Sequence, residues 1–191
     1  MAALTVEAYA EELAARVVAR GLPLESKLVR DLIQIASGNA TYRPHPDWKF
    51  RSMEEFVLLN GVMWRYQAKP GRMAWGTPKQ CFNNCFNAID IVHGTNVYVE
   101  GYATTGIIPA QHAWLGQPKS RTVIDLTWNP KNKFFVNYPT TGWEYIGVPF
   151  ETRWYIQHAF RTGKAGVIDR WEDDYPLLRG EPFERVVLPG E

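Results

Sequence analysis

Apolar positions in the first sixty residues recur at helical spacing. Thr5 reads as an N-cap, after which Val6, Tyr9, Ala10, Leu13 and Val17 return every three or four residues until Arg20-Gly21. A second stripe, Leu28, Leu32 and Ile35 between Glu25 and Ala36, stops at Ser37-Gly38, and the turn Gly21-Leu22-Pro23 lies between the two. Together they predict a helical hairpin. Residues 39–51, NATYRPHPDWKFR, hold two prolines and no sustained period, which is loop chemistry. Ser52 and Glu55 then form a capping box, opening a helix through Phe56, Leu58 and Leu59 that closes at Asn60-Gly61. Trp64 to Gln67 reads as extended.

Thr77-Pro78 predicts the next helix start, with Thr as cap and Pro at the first helical position, running to about His93-Gly94. Beyond it the period changes to two. Val97, Val99 and Gly101 alternate with Tyr98, Glu100 and Tyr102, as in a half-buried strand with Glu100 facing solvent. Further strands are expected at His112 to Leu115, Val123 to Thr127 and Tyr145 to Val148. Strands in series with short connections imply an antiparallel sheet, and the helices before and after make the class α+β. From Glu151 the tail opens with a helical stretch, Trp154 to Ile156 and Ala159-Phe160. It continues as an extended arm packed through Trp171, Leu177, Leu178 and Phe183. One domain is expected, with a helical part over residues 1–60, a core over 75–150, and a helix and arm over 151–191.

Composition narrows the function classes. With 191 residues, 46% hydrophobic and 14% aromatic, the chain can bury a full core and is not disordered. The 21 Lys and Arg against 20 Asp and Glu give a net charge of +1 with no basic block, so neither nucleic acid nor an anionic membrane is an expected partner. No run approaches the roughly 18 to 20 apolar residues of a membrane span, and the N-terminus has Glu where a signal peptide is apolar. A cytoplasmic protein is expected, and its oligomeric state is left open. Its two cysteines, Cys81 and Cys85, are too few to scaffold a secreted fold and read as free thiols.

Three residue types that can share chemistry follow one another along the chain. Cys81 falls in the first turn of the helix begun by Thr77-Pro78, where free N–H groups and the helix dipole favour a thiolate. His112 lies in a strand, and Asp125 interrupts the apolar run Val123-Ile124-Asp125-Leu126. A carboxylate there needs a partner, and a His on the neighbouring antiparallel strand is one. Asp125 would orient the imidazole, His112 would take the proton of Cys81, and Cys81 would attack a carbonyl. The backbone N–H of Cys81 would receive the oxyanion, with Gln80, Asn84, Trp75 or Trp114 as further oxyanion or cleft candidates. Cys85, a turn further along, reads as a small core residue. His45 and His158 read as surface or packing residues. A metal site from Cys81, Cys85, His93 and His112 is disfavoured, because Cys-x3-Cys within a helix is not a zinc-knuckle spacing. No metal and no cofactor is expected.

Gln80-Cys81-Phe82, Gly101-Tyr102, His112-Ala113-Trp114 and Asp125-Leu126-Thr127, in that order, resemble the transglutaminase-like superfamily of papain-type cysteine enzymes, including small bacterial and phage members. The resemblance covers roughly residues 75 to 150. It implies a nucleophile helix packed on an antiparallel sheet, a triad of Cys81, His112 and Asp125, and a peptide or protein substrate. Leu126 stands where the family has Pro. The function expected is hydrolysis, or amine transfer, at a peptide, amide or isopeptide bond. The rival expectation is a non-catalytic peptide- or protein-binding module on the same fold, including a phage regulatory protein.

Overall fold

A computed structural model describes residues 5–42, 47–89, 95–132, 135 and 137–191. Its elements are α1 (Val6–Ala19), α2 (Lys27–Tyr42), α3 (Met53–Asn60), β1 (Val62–Trp64), α4 (Cys81–Ala88), β2 (Val97–Thr104), β3 (Ala110–Gln117), β4 (Thr122–Ile124), β5 (Glu144–Phe150), α5 (Thr152–Thr162) and α6 (Pro176–Arg179). The class is α+β, and the five strands pair antiparallel in the order β1-β5-β2-β3-β4. The sheet curls until its edges meet. Arg65, just past β1, donates its N–H to Arg121 O at 2.9 Å and accepts from Val123 N at 3.0 Å.

Local chemistry explains the first three helices. Thr5 Oγ1 accepts from Ala8 N and caps α1, whose Tyr9, Leu13 and Val17 are buried. Ser26 Oγ caps α2 through Val29 N, and Glu144 of β5 accepts from Leu28 N at 2.9 Å, so a strand residue completes the helix start. Ser52 Oγ accepts from Glu55 N, and Glu55 returns the favour one residue upstream, at Arg51 N. Its other oxygen takes Arg16 of α1 at 2.8 Å, while Glu54 takes the hydroxyl of Tyr102 on β2 at 2.6 Å and Asn39 of α2 at 3.1 Å. Two adjacent buried carboxylates on α3 thus bind two helices and the sheet.

The structure corrects several expectations. Helix α2 does not end at Ser37-Gly38 but runs to Tyr42, with the Ser37 hydroxyl donating to Ile33 O one turn back at 2.7 Å inside the helix. Ile35 is exposed, and Val29, Ile33 and Ala36 complete the buried face with Leu28 and Leu32. Helix α4 begins at Cys81, after a turn in which Gln80 N donates to Thr77 O and Lys79 takes a left-handed φ of 64°. It ends at Ala88, and His93-Gly94 lies outside the described residues, as does His45. Strand β2 is buried along its whole length, not on one face. In the tail Leu177 and Leu178 are buried as expected, whereas Trp171 is exposed.

Two glycines at the sheet's centre have a steric reason. Gly101 and Gly147 lie opposite one another on β2 and β5, and a Cβ on Gly101 would sit 2.2 Å from Ile146 O. Next to Gly101, Glu100 is 3% exposed and not solvent-facing. It accepts the Tyr98 hydroxyl at 2.6 Å, Val167 N at 2.7 Å and Ile168 N at 2.8 Å. Burial raises its pKa above the usual carboxylate value, against the pull of those donors. Residues 167–169 of the arm are thereby fastened to the middle strand. Replacing Glu100 with Ala strands these donors and is expected to lower stability by about 3 kcal/mol in urea unfolding at neutral pH, with Glu100→Gln losing less because one acceptor remains.

Candidate active site

Asp125 lies one residue past β4 and is 2% exposed. Its Oδ1 accepts from Thr127 N at 2.8 Å and Trp128 N at 2.9 Å, an Asx turn that the sequence Asp-Leu-Thr-Trp favours. Its Oδ2 lies 2.7 Å from His112 Nε2 and accepts the Tyr145 hydroxyl at 3.1 Å. Strand β3 brings the imidazole and β5 the phenol, so three sheet elements meet at one carboxylate. The His112 ring is stacked on Trp128, with centroids 4.5 Å apart and planes at 26°.

His112 is 1% exposed. Burial, the largest single influence, acts to lower its pKa, but the charge and hydrogen bond of Asp125, together with Cys81, outweigh it and raise the value to about 10. With Nε2 engaged by Asp125, Nδ1 is the ring nitrogen left for the thiol. Cys81, the first residue of α4 and 8% exposed, lies close enough to the same ring to add to that rise. The structure therefore brings Cys81, His112 and Asp125 together, with Cys81 at the helix end where backbone N–H groups lack intrahelical acceptors. Cys85, fully buried one turn later, is a different thiol. Burial first, then the charges of Asp125, Cys81 and Glu100, push its pKa well above the ordinary value and keep it protonated.

The remaining sequence candidates divide. Asn84 is committed elsewhere: its Oδ1 accepts from Thr77 N at 3.0 Å, and its Nδ2 donates to Thr77 O and Thr127 Oγ1, each at 2.8 Å. Both amide hydrogens are spent, so it has none for an oxyanion. It clamps the loop before Cys81 to the loop after Asp125, and Gly76 leaves room for it, since a Cβ there would sit 2.2 Å from Asn84 Cγ. Trp114 is fully buried, its ring against Tyr145. Gln80 and Trp75 are exposed near the helix start, with the Lys69 ammonium 4.8 Å from the Trp75 ring centroid. Of the residues the metal reading needed, His93 lies outside the described residues. Among the described residues no group of three or more His, Cys, Asp or Glu is arranged to hold a metal.

Sequence reading missed Tyr145 and the ring of Trp128 as partners of the pair. Their signal was weak: Tyr145 stood in a correctly expected strand, but its neighbour across the sheet depended on strand order. Among the described residues no helix is long and apolar enough to cross a membrane. Compared with protein-family models, curated proteins and solved structures, the chain gives no match.

A raised folded-state pKa at His112 has a definite sign. The stability it contributes is fully present below its ordinary pKa of 6.5 and is lost as pH rises toward about 10. Urea midpoints are therefore expected to fall across that window, and Asp125→Asn should flatten the fall, as unfolding curves at a series of pH values will show. Asn84→Ala should cost about 1–2 kcal/mol and speed amide exchange at Thr77, measurable by hydrogen exchange with mass spectrometry.

Proposed function

We propose that this chain is a cysteine-dependent acyl-transfer enzyme of transglutaminase-like, papain-type architecture, acting on a peptide, amide or isopeptide bond. The observation that carries the reading is the 2.7 Å contact between His112 Nε2 and Asp125 Oδ2, with Cys81 acting on the same ring. Cys81 Sγ would bond to the substrate carbonyl carbon while the leaving amine departs with the proton held by His112. Water, giving a proton to His112, would then break the thioester and return the free thiol; an amine in its place would make the step a transfer. The oxyanion would lie against the first-turn N–H groups of α4, with Gln80 as the exposed candidate for a further donor.

The test is acylation of the intact protein by a p-nitrophenyl ester, with alkylation by iodoacetamide in parallel, both mapped by mass spectrometry. Cys81 is expected to alkylate readily at pH 6, where an ordinary thiol of pKa about 8.5 is almost wholly protonated. An acyl group should form on Cys81 and then be lost to water, while Cys85 stays unmodified. His112→Ala should slow acylation by about a hundredfold or more. Slow modification of both thiols, unchanged by His112→Ala, overturns the proposal. The near-complete burial of Cys81 favours one second reading, a non-catalytic binding module in which the three residues form a polar core network. That reading takes over if the thiols are inert.

A further inference from the structure

Helix α5 and the arm that follows enclose a cavity of about 260 Å³, walled by Trp154, His158 and Arg161 on one side and Arg170, Asp173 and Arg179 on the other. His158 is 7% exposed, and its ring is stacked on Trp154 at 5.1 Å. Both ring nitrogens face guanidinium groups: Nε2 lies 2.9 Å from Arg170 Nη1, and Nδ1 lies 3.4 Å from Arg161 Nη2. A neutral imidazole has one accepting nitrogen, the other bearing its proton. One of the two contacts therefore sets donor against donor.

The surplus of donors extends beyond the ring. Arg170 is 4% exposed, its Nε has no hydrogen-bond partner among the described residues, and Asp173 is its carboxylate partner. Arg161 makes no ion pair among the described residues, whereas Arg179 is held by Asp174 and Glu181. An unmatched buried donor is costly, and here one, on Arg170, belongs to the wall of a cavity that the exposed Arg161 also lines.

We propose that this cavity binds a compact oxyanion, the phosphate or carboxylate group of a small ligand, between Arg161, Arg170 and His158. Such a group supplies the acceptors the wall lacks, and its geometry suits a guanidinium fork. Asp173 pairs with Arg170, and Asp174 and Glu181 pair with Arg179, so Arg161 is the guanidinium left for a ligand, which fits one small anion and not a polyanion. Burial first, then the charges of Arg170 and Arg161, hold His158 down to about 4, with Glu181 pulling the other way, so the ring meets the ligand uncharged. The anion would relieve the donor conflict and raise that value. Nothing in this site depends on the chemistry proposed for Cys81.

The experiment titrates the full chain at pH 7 with inorganic phosphate and, separately, with acetate, at constant ionic strength. The readouts are the His158 ring resonance, assigned with His158→Gln, and tryptophan fluorescence. Saturable shifts are expected with at least one anion, and which one saturates assigns phosphate or carboxylate. Arg161→Gln, a change at an exposed residue, should weaken binding about tenfold. Lys119→Gln, the same loss of charge at an exposed turn, should leave it unchanged. No saturable shift with either anion, or equal weakening by Lys119→Gln, overturns the proposal.

Discussion

A carboxylate enters a protein interior only if donors wait for it there, and among the described residues four are buried: Glu54, Glu55, Glu100 and Asp125. None is served by its own element alone. Glu54 joins α3 to α2 and β2; Glu55 joins α3 to α1; Glu100 joins β2 to the C-terminal arm; Asp125 joins β4 to β3 and β5. Each is a knot between segments that apolar packing would hold together with less definition. Because an unpartnered carboxylate would be expelled, the segments are coupled: the helices dock correctly or the acids cannot be buried.

The candidate site inherits that coupling. Asp125 is held from one side by its own turn and from the other by Tyr145, so the oxygen facing His112 has little freedom. The imidazole is fixed in turn by the stack on Trp128. Cys81 comes from a separate element, yet it is not positioned independently. Asn84 bonds to Thr77 and Thr127, and Gly76 N donates to Leu126 O at 2.8 Å, which staples the approach to α4 onto the turn that orients Asp125. Leu126 is buried and belongs to this staple through its carbonyl.

Features set by near neighbours were legible in the sequence. The caps at Thr5 and Ser52 act over three residues, and both helices begin where those residues say. The pairing of His112 with Asp125 was legible for a different reason: one charge in an apolar run demands a partner, and the neighbouring strand carried one. What escaped depends on distant chain. Glu100 looked solvent-facing because alternation cannot reveal that a second layer covers the face, and its backbone donors come 67 and 68 residues later. The extent of α2 escaped because Ser37 and Gly38 are stop signals unless the hydroxyl is satisfied inside the helix. At α4 the left-handed Lys79 delays the helix that Thr77-Pro78 announces, a backbone choice that propensity disfavours.

The link between Glu100 and residues 167–169 bears on how the molecule is made. A ribosome delivers β2 long before the backbone groups that will satisfy its central acid. Until Val167 and Ile168 emerge, that acid must keep its water, and the face of the sheet around it must stay open. The helices and hairpins upstream can form early, but the interior can be dried only when the arm arrives. Closure of the core is therefore ordered in time by one side chain, and the arm is the last piece of the interior, not an appendage to it.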